Sequence, residues 1–313
     1  MAWREDALFG RVRLTKGLRG ACVTIPTTGT PGYMAGERVF LKNPVLGQSS
    51  EWINQGSITS CLFVPFGPVQ GYGIVHAGAR GATTGSTTEV ISGEFANTDI
   101  AFAGHVKSDD TDTIASVIVT DDESEILITG SADPLSAHGY LWGALRNKCT
   151  PNWDIAFAGQ AASTAATSTA ITVTGVLATD IGLSGYGVTD DTDTIAKTVC
   201  TADTVTTTHS TTSSTGHTIN YAVLRQRGTF KPSHYVAFAG KDVATTADAS
   251  GIATNDVAIT GLLATDLPFA FISVQGGTIR VARASCVAGT LTVQFSADPS
   301  TTSSFSYFVL RAY

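Results

Sequence analysis

Charge is scarce in this chain. Only 14% of its 313 residues are Asp, Glu, Lys or Arg, about half the usual share for a globular protein. Nineteen basic side chains, seven of them lysine, face 26 acidic ones and leave a net charge of −7. A protein that grips nucleic acid through its phosphates needs a basic stripe, and a pI near 5.3 supplies none over most of the length, so no nucleic-acid partner is expected. Long apolar runs are missing too. No stretch approaches the ~18 uninterrupted apolar residues of a membrane-spanning helix, so no membrane partner is expected. Met1 to Leu14 carries Arg4, Glu5, Asp6, Arg11 and Arg13 and develops no apolar core, so it does not read as a secretory signal. Cysteine is sparse and odd in number: Cys22, Cys61, Cys149, Cys200 and Cys286 are widely spaced with no CxxC, which predicts buried free thiols and no zinc site.

Hydrophobic residues still make up 43%, enough to bury a core, and 46 threonines with 32 glycines favour strands joined by tight turns. At about 100 to 200 residues per domain, several compact units are expected.

The sequence repeats itself three times. Tyr221-Ala-Val-Leu-Arg225 and Tyr307-Phe-Val-Leu-Arg311 close two copies, and Leu141-Trp-Gly-Ala-Leu-Arg146 closes a looser one. Upstream, Thr174-Gly-Val-Leu-Ala-Thr-Asp180 matches Thr260-Gly-Leu-Leu-Ala-Thr-Asp266, and Ser92-Gly-Glu-Phe-Ala-Asn-Thr-Asp99 is the same phrase with one residue added. Gly78, Gly159 and Gly240 open the copies at equal steps of 81 residues. The chain therefore divides into a leader, 1–70, and units at 71–146, 152–225 and 234–313, joined by short segments with proline and basic residues.

In the second unit, strands are expected at Ile155–Ala158, Ala170–Thr174, Ile181–Ser184, Thr194–Cys200, Thr204–Thr208 and Ile219–Leu224. Ile171 and Val173 alternate with Thr172 and Thr174, the period-two pattern of a strand with one face inside. Six short strands and no crossover helix predict an all-β chain: a small docking module followed by three tandem antiparallel β-sandwich, jelly-roll-like repeats. In the leader, Arg38–Lys42 and Ser60–Val64 read as strands.

Chemistry is hard to find in these residues. There is no P-loop, HExxH, GxSxG or dinucleotide fingerprint. His76, His105, His138, His209, His217 and His234 do not recur at matched positions, so no catalytic residue, metal ligand or cofactor is assigned. The acidic phrase at Asp109, Asp110 and Asp112, repeated at Asp190, Asp191 and Asp193, offers hard oxygen ligands for calcium, but the third copy has Gln275-Gly-Gly-Thr278 there, and a solvated turn is the simpler reading. His209 and His217 flank Ser210–Thr215, read as a hairpin, and Asp-Pro sets the turn of the matching loops at Ser131–Ser136 and Ser296–Ser304. Phe157, Phe238, Tyr221, Tyr307 and Trp142 read as core anchors. Arg4, Arg11, Arg13, Lys16 and Arg19 make the first twenty residues net basic in an acidic chain, which suits a tether to an acidic surface.

Repeats that combine a TG(V/L)LATD phrase, a threonine-rich strand, an SADPS-like hairpin and a closing Y-x-V-L-R strand resemble those of structural proteins of tailed bacteriophage particles, over residues 71 to 311. The resemblance implies a non-enzymatic virion component of the head decoration or head fibre type. Such a protein assembles in the host cytoplasm, binds the major capsid protein on the outer capsid surface through its N-terminal region, and does so as a homotrimer. The first copy departs most from the pattern and is expected to pack against the leader. The rival reading is a tail fibre or bacterial-surface adhesin whose third copy holds a host-surface glycan on the Ser296–Ser304 loop.

Overall fold

A computed structural model describes the chain except residues 1–3, 7–10, 14–18, 45–46, 70, 82–87, 108–113, 121, 131–138, 189–193, 211–216, 229, 246–253, 275–278, 298 and 300–302. The side chains of residues 1–20 also lie outside the description, as do Asp109–Thr113 and Asp190–Asp193 of the acidic turns, all of Ser131–Ser136, most of Ser210–Thr215 and four of the nine residues of Ser296–Ser304. Every element among the described residues is a strand.

The leader contributes β1 (Arg4–Asp6) and β2 (Arg11–Arg13), which form an antiparallel pair, and then a four-stranded sheet. That sheet runs β3 (Arg19–Cys22), β4 (Arg38–Leu41), β5 (Glu51–Asn54), β6 (Phe63–Pro65), with β3 parallel to β4 and the rest antiparallel. Its core is Cys22, Tyr33, Val39, Trp52, Cys61 and Phe63. The strand expected at 38–42 is present as β4, whereas of the strand expected at 60–64 only Phe63 and Val64 are in β6; β3 and β5 were not evident in the sequence.

Unit 1 holds β7 (Tyr72–Gly81), β8 (Thr88–Ser92), β9 (Ile100–Lys107), β10 (Ile114–Val119), β11 (Glu125–Gly130) and β12 (Gly139–Asn147). Unit 2 holds β13 (Trp153–Ala162), β14 (Ser168–Thr172), β15 (Ile181–Val188), β16 (Ile195–Thr201), β17 (Thr204–His209) and β18 (Thr218–Gln226), so all six strands expected there are found. Unit 3 holds β19 (His234–Ala244), β20 (Thr254–Ala258), β21 (Leu267–Val274), β22 (Val281–Val287), β23 (Thr290–Phe295) and β24 (Ser304–Ala312). The pairing is the same in each. The sixth strand sits between the first and third, and the fifth between the second and fourth, all antiparallel. First-with-sixth and second-with-fifth pairing is the wrapping of a jelly roll with six strands.

The two sheets of a unit have different jobs. The 2-5-4 sheet alternates, as in β11 and β17, where buried and half-exposed residues take turns. Its inner face meets the 1-6-3 sheet over the unit's own core, for example Ile126 and Ile128 against Ala101, Ala103 and Tyr140. The 1-6-3 sheet is buried on both faces, because its other side joins a core shared by all three units. Ile74, Ile155 and Val236 from the first strands, Leu145, Leu224 and Leu310 from the sixth, and Ile100, Ile181 and Leu267 from the third converge there. Strands buried on both faces read as continuous apolar runs, which is why Tyr307-Phe-Val-Leu310 shows no alternation.

The units close head to tail. β10 of unit 1 packs on β21 of unit 3, β22 of unit 3 on β15 of unit 2, and β16 of unit 2 on β9 of unit 1. The starts of the three first strands also meet: Trp153 pairs with Ile74, Ile155 pairs with His234, and β19 packs on β7. A heterologous contact repeated three times in a closing direction makes a ring, here within a single chain.

Candidate functional site

One end of the ring is where the chain passes between units, and the N-terminal module sits there. Val69 N–H donates to Cys149 O (3.0 Å) and Lys148 N–H to Gly71 O (2.6 Å). Arg227 Nη1 donates to Gly67 O (3.2 Å). The Trp52 ring meets Tyr313 edge-on at 5.6 Å. Gly47, at φ +84°, lies so close that a Cβ would stand 2.1 Å from Val236 O, so no other residue fits that seam. The leader therefore rests on the joints that follow units 1 and 2 and on unit 3, and it touches the first copy where Val69 lies against Gly73.

The residues that define the repeat lie near the same end and are spent on architecture. In unit 2 the Arg225 guanidinium grips Asp180 through two hydrogen bonds, Nε to Oδ1 at 2.7 Å and Nη2 to Oδ2 at 2.5 Å, and Nη2 also donates to Gly175 O. Asp180 Oδ2 in turn accepts from Leu177 N–H (2.8 Å). Arg311 and Asp266 repeat this in unit 3, as do Arg146 and Asp99 in unit 1. Gly175 and Gly261 supply the positive φ (+94° and +87°) that turns the accepting carbonyl toward the arginine. The carboxylates are almost wholly enclosed, and the bonding raises the pKa of all three arginines. Phe157 and Phe238 lie beneath Arg225 and Arg311, with the guanidinium carbon 5.7 and 5.4 Å from the ring centres. Cys200 and Cys286 are free thiols, each pushed up to about 12, first by burial and then by the neighbouring clamp aspartate. Such thiols are poor nucleophiles at neutral pH.

Other expected residues fall as follows. Arg4 pairs with Arg13 and Asp6 with Arg11 across β1 and β2, while Arg19 opens β3 beside Arg38. These are backbone positions only, and Lys16 lies outside the described residues. His209 and His217 are both buried. Tyr186 Oη and His209 Nδ1 are 2.6 Å apart, and His209 Nε2 and Thr169 Oγ1 are 3.0 Å apart, so the imidazole ties β17 to β15 and β14. Among the described residues no three His, Cys, Asp or Glu side chains converge as a metal site would require. Among the described residues no helix is long and apolar enough to cross a membrane.

Two of the concavities among the described residues lie apart from the module's seam with Val236 and Tyr313. One, about 130 Å³, lies among the third and fourth strands of all three units and is walled by Phe269, Phe271, Leu183, His105, Arg280 and Arg283, among others. The other is an open groove of about 500 Å³ where the module meets units 1 and 2. Phe66 and Pro65 of the module form one side; His76, Trp142, Asn152, Trp153, Gln226 and Arg227 form the rest. Its walls are fixed: Asn152 Nδ2 donates to Val75 O (2.9 Å), His76 Nε2 lies 3.0 Å from Glu94 O, and Arg38 stacks 4.4 Å over Phe66. Sequence reasoning missed this groove because its parts come from five separate stretches. Comparison of the chain with protein-family models, curated proteins and solved structures returns no match.

Proposed function

We propose that this chain is a non-enzymatic structural protein of a bacteriophage particle, bound to the outer capsid surface through its N-terminal region as a decoration or head-fibre protein. The major capsid protein is its partner and the virion surface its location. The observation that carries the reading is the division of labour along the chain. Repeat-defining residues such as Arg225 and Asp180 are consumed by clamps and a shared core, whereas the module that follows the basic segment carries the exposed large apolar side chains Val23, Met34, Ile58 and Phe66; the units expose Val90, Leu177, Val188, Leu263, Val274 and Val287 without a basic segment beside them. Exposed apolar residues beside positive charge suit adhesion to an acidic, partly apolar surface.

The homotrimer implied by the resemblance would protect sheet edges by closing three chains together. Here three units close within one chain, so the docked unit proposed is a monomer, and repeated capsid subunits supply the multivalency. Removing residues 1–20 should abolish occupancy on particles seen by electron microscopy while the units keep their thermal transition; unchanged occupancy would defeat the tether, and three chains per docking point would defeat the monomer. The adhesin reading places a glycan on the Ser296–Ser304 loop, and nothing in the described part of that loop favours it.

A further inference from the structure

Unit 1 breaks the repeat pattern where it meets the module. Across the ring, His76 stands where units 2 and 3 have Phe157 and Phe238, the rings that lie under the clamp arginines. Trp142 stands where they have Tyr221 and Tyr307, facing Gly78 as those face Gly159 and Gly240. These departures give up an arginine-on-ring contact, and His76 and Trp142 both open onto the same groove.

The groove offers unused donors. Trp52 satisfies its indole N–H on Ser49 O at 2.9 Å. Among the described residues, the indole nitrogens of Trp142 and Trp153 have no protein acceptor, and neither is a buried unsatisfied atom, so both open to solvent. Gln226 is exposed and its side-chain amide is likewise unengaged. The cation that lines the groove, Arg227, is buried away from it: its side chain is 9% exposed, Nη1 donates to Gly67 O and Pro151 O, and Nε lies 3.2 Å from Asp154 without a hydrogen bond. Aromatic surfaces beside neutral hydrogen-bonding groups, with the charge already spoken for, match a ligand with apolar C–H faces and hydroxyl edges. We infer that this groove binds a neutral oligosaccharide, with Trp142 and Trp153 as ring platforms and N–H donors and Gln226 as a hydroxyl-binding amide. The site is separate from the loop of the adhesin reading and does not depend on capsid docking.

The test is titration of the intact chain with a glycan array and, in solution, with maltotriose, lactose, N,N′-diacetylchitobiose and mannotriose, read by tryptophan fluorescence and saturation-transfer NMR. At least one neutral glycan should bind. Trp142→Phe keeps a ring over Gly78 but removes the N–H, and should weaken binding about threefold to tenfold, the loss expected for one neutral hydrogen bond. Gln226→Ala, at an exposed position that cannot unfold the chain, should weaken it several-fold. Neither variant should alter occupancy on particles, so loss of docking and loss of sugar binding are read separately. Absence of binding to every neutral glycan, or binding that both variants leave unchanged, overturns the inference.

Discussion

Gly143 shows how three similar units share one centre without being identical. It occupies the sixth-strand position that holds Ala222 in unit 2 and Phe308 in unit 3, facing the shared core. A Cβ on Gly143 would come within 2.2 Å of the Phe102 ring, and Phe102 packs 5.4 Å from Phe308. One large, one small and one absent side chain fill a space that three equal ones could not. Gly143→Ala should therefore destabilise the chain by about 1–3 kcal/mol through overpacking, although alanine is the native residue at the matching place in unit 2; a urea midpoint measures it. At the clamp, Asp180→Ala leaves Arg225, whose side chain is 18% exposed, facing a carboxylate-free pocket. The expected loss is about 3–5 kcal/mol. Asp99→Ala should lose less, because Arg146 is 35% exposed and water can replace its partner. The letters of the clamp were visible in the sequence as the constant 45-residue spacing of Asp180 to Arg225 and Asp266 to Arg311. That they grip one another was not, because spacing along a chain does not say which turns fold back together.

Among elements, the seam between the module and the first strands of units 2 and 3 holds a poorly compensated charge. Asp154, near the start of β13, lies 3.2 Å from Arg227 Nε, but the approach is too bent for a hydrogen bond, and both side chains are about a tenth exposed. Burial pushes the Asp154 carboxyl up to about 6, against the pull of Arg227. A carboxylate whose folded pKa exceeds its unfolded value of 3.8 binds its proton more tightly when folded. Its contribution to stability is thus full below the unfolded value and lost as pH rises through about 6. Neighbouring His234 works the other way, since burial lowers its pKa and its charging on acidification disfavours the fold. Comparing wild type with Asp154→Asn isolates the carboxyl: between pH 4 and 7 the wild type should lose on the order of 2 kcal/mol relative to the variant. Equal pH slopes in chemical denaturation would show that Asp154 is not protonated in the folded chain near pH 6. The seam escaped the sequence because it joins residues 47–52, 154, 227 and 313, with no local pattern to mark it. The strands themselves were legible, since alternation in β14, β17 and β23 and turn residues between them are local signals.

At the scale of the molecule, tandem repeats leave two architectures open: a linear array, in which each unit meets only its neighbours and can unfold piecemeal, or a closed ring. Period-two patterning decides which face of a strand is buried but not what buries it, so the sequence was compatible with both. The continuous apolar runs at Tyr221-Ala-Val-Leu224 and Tyr307-Phe-Val-Leu310 were the one hint that the sixth strands are covered on both sides. Closure has a thermodynamic consequence. Phe308 of unit 3 stacks on Phe269 of its own unit at 5.2 Å and meets Phe102 of unit 1 at 5.4 Å, inside a core that also holds Leu183 and Leu224 of unit 2. Phe308→Ala should cost about 3–5 kcal/mol and should weaken all three units together. In native-state hydrogen exchange, the slowest amides of β12 and β18 should then lose protection as much as those of β24, with one unfolding transition retained. Loss confined to unit 3, or a transition that splits in two, would mean that the units stand independently and that the shared core does not couple them.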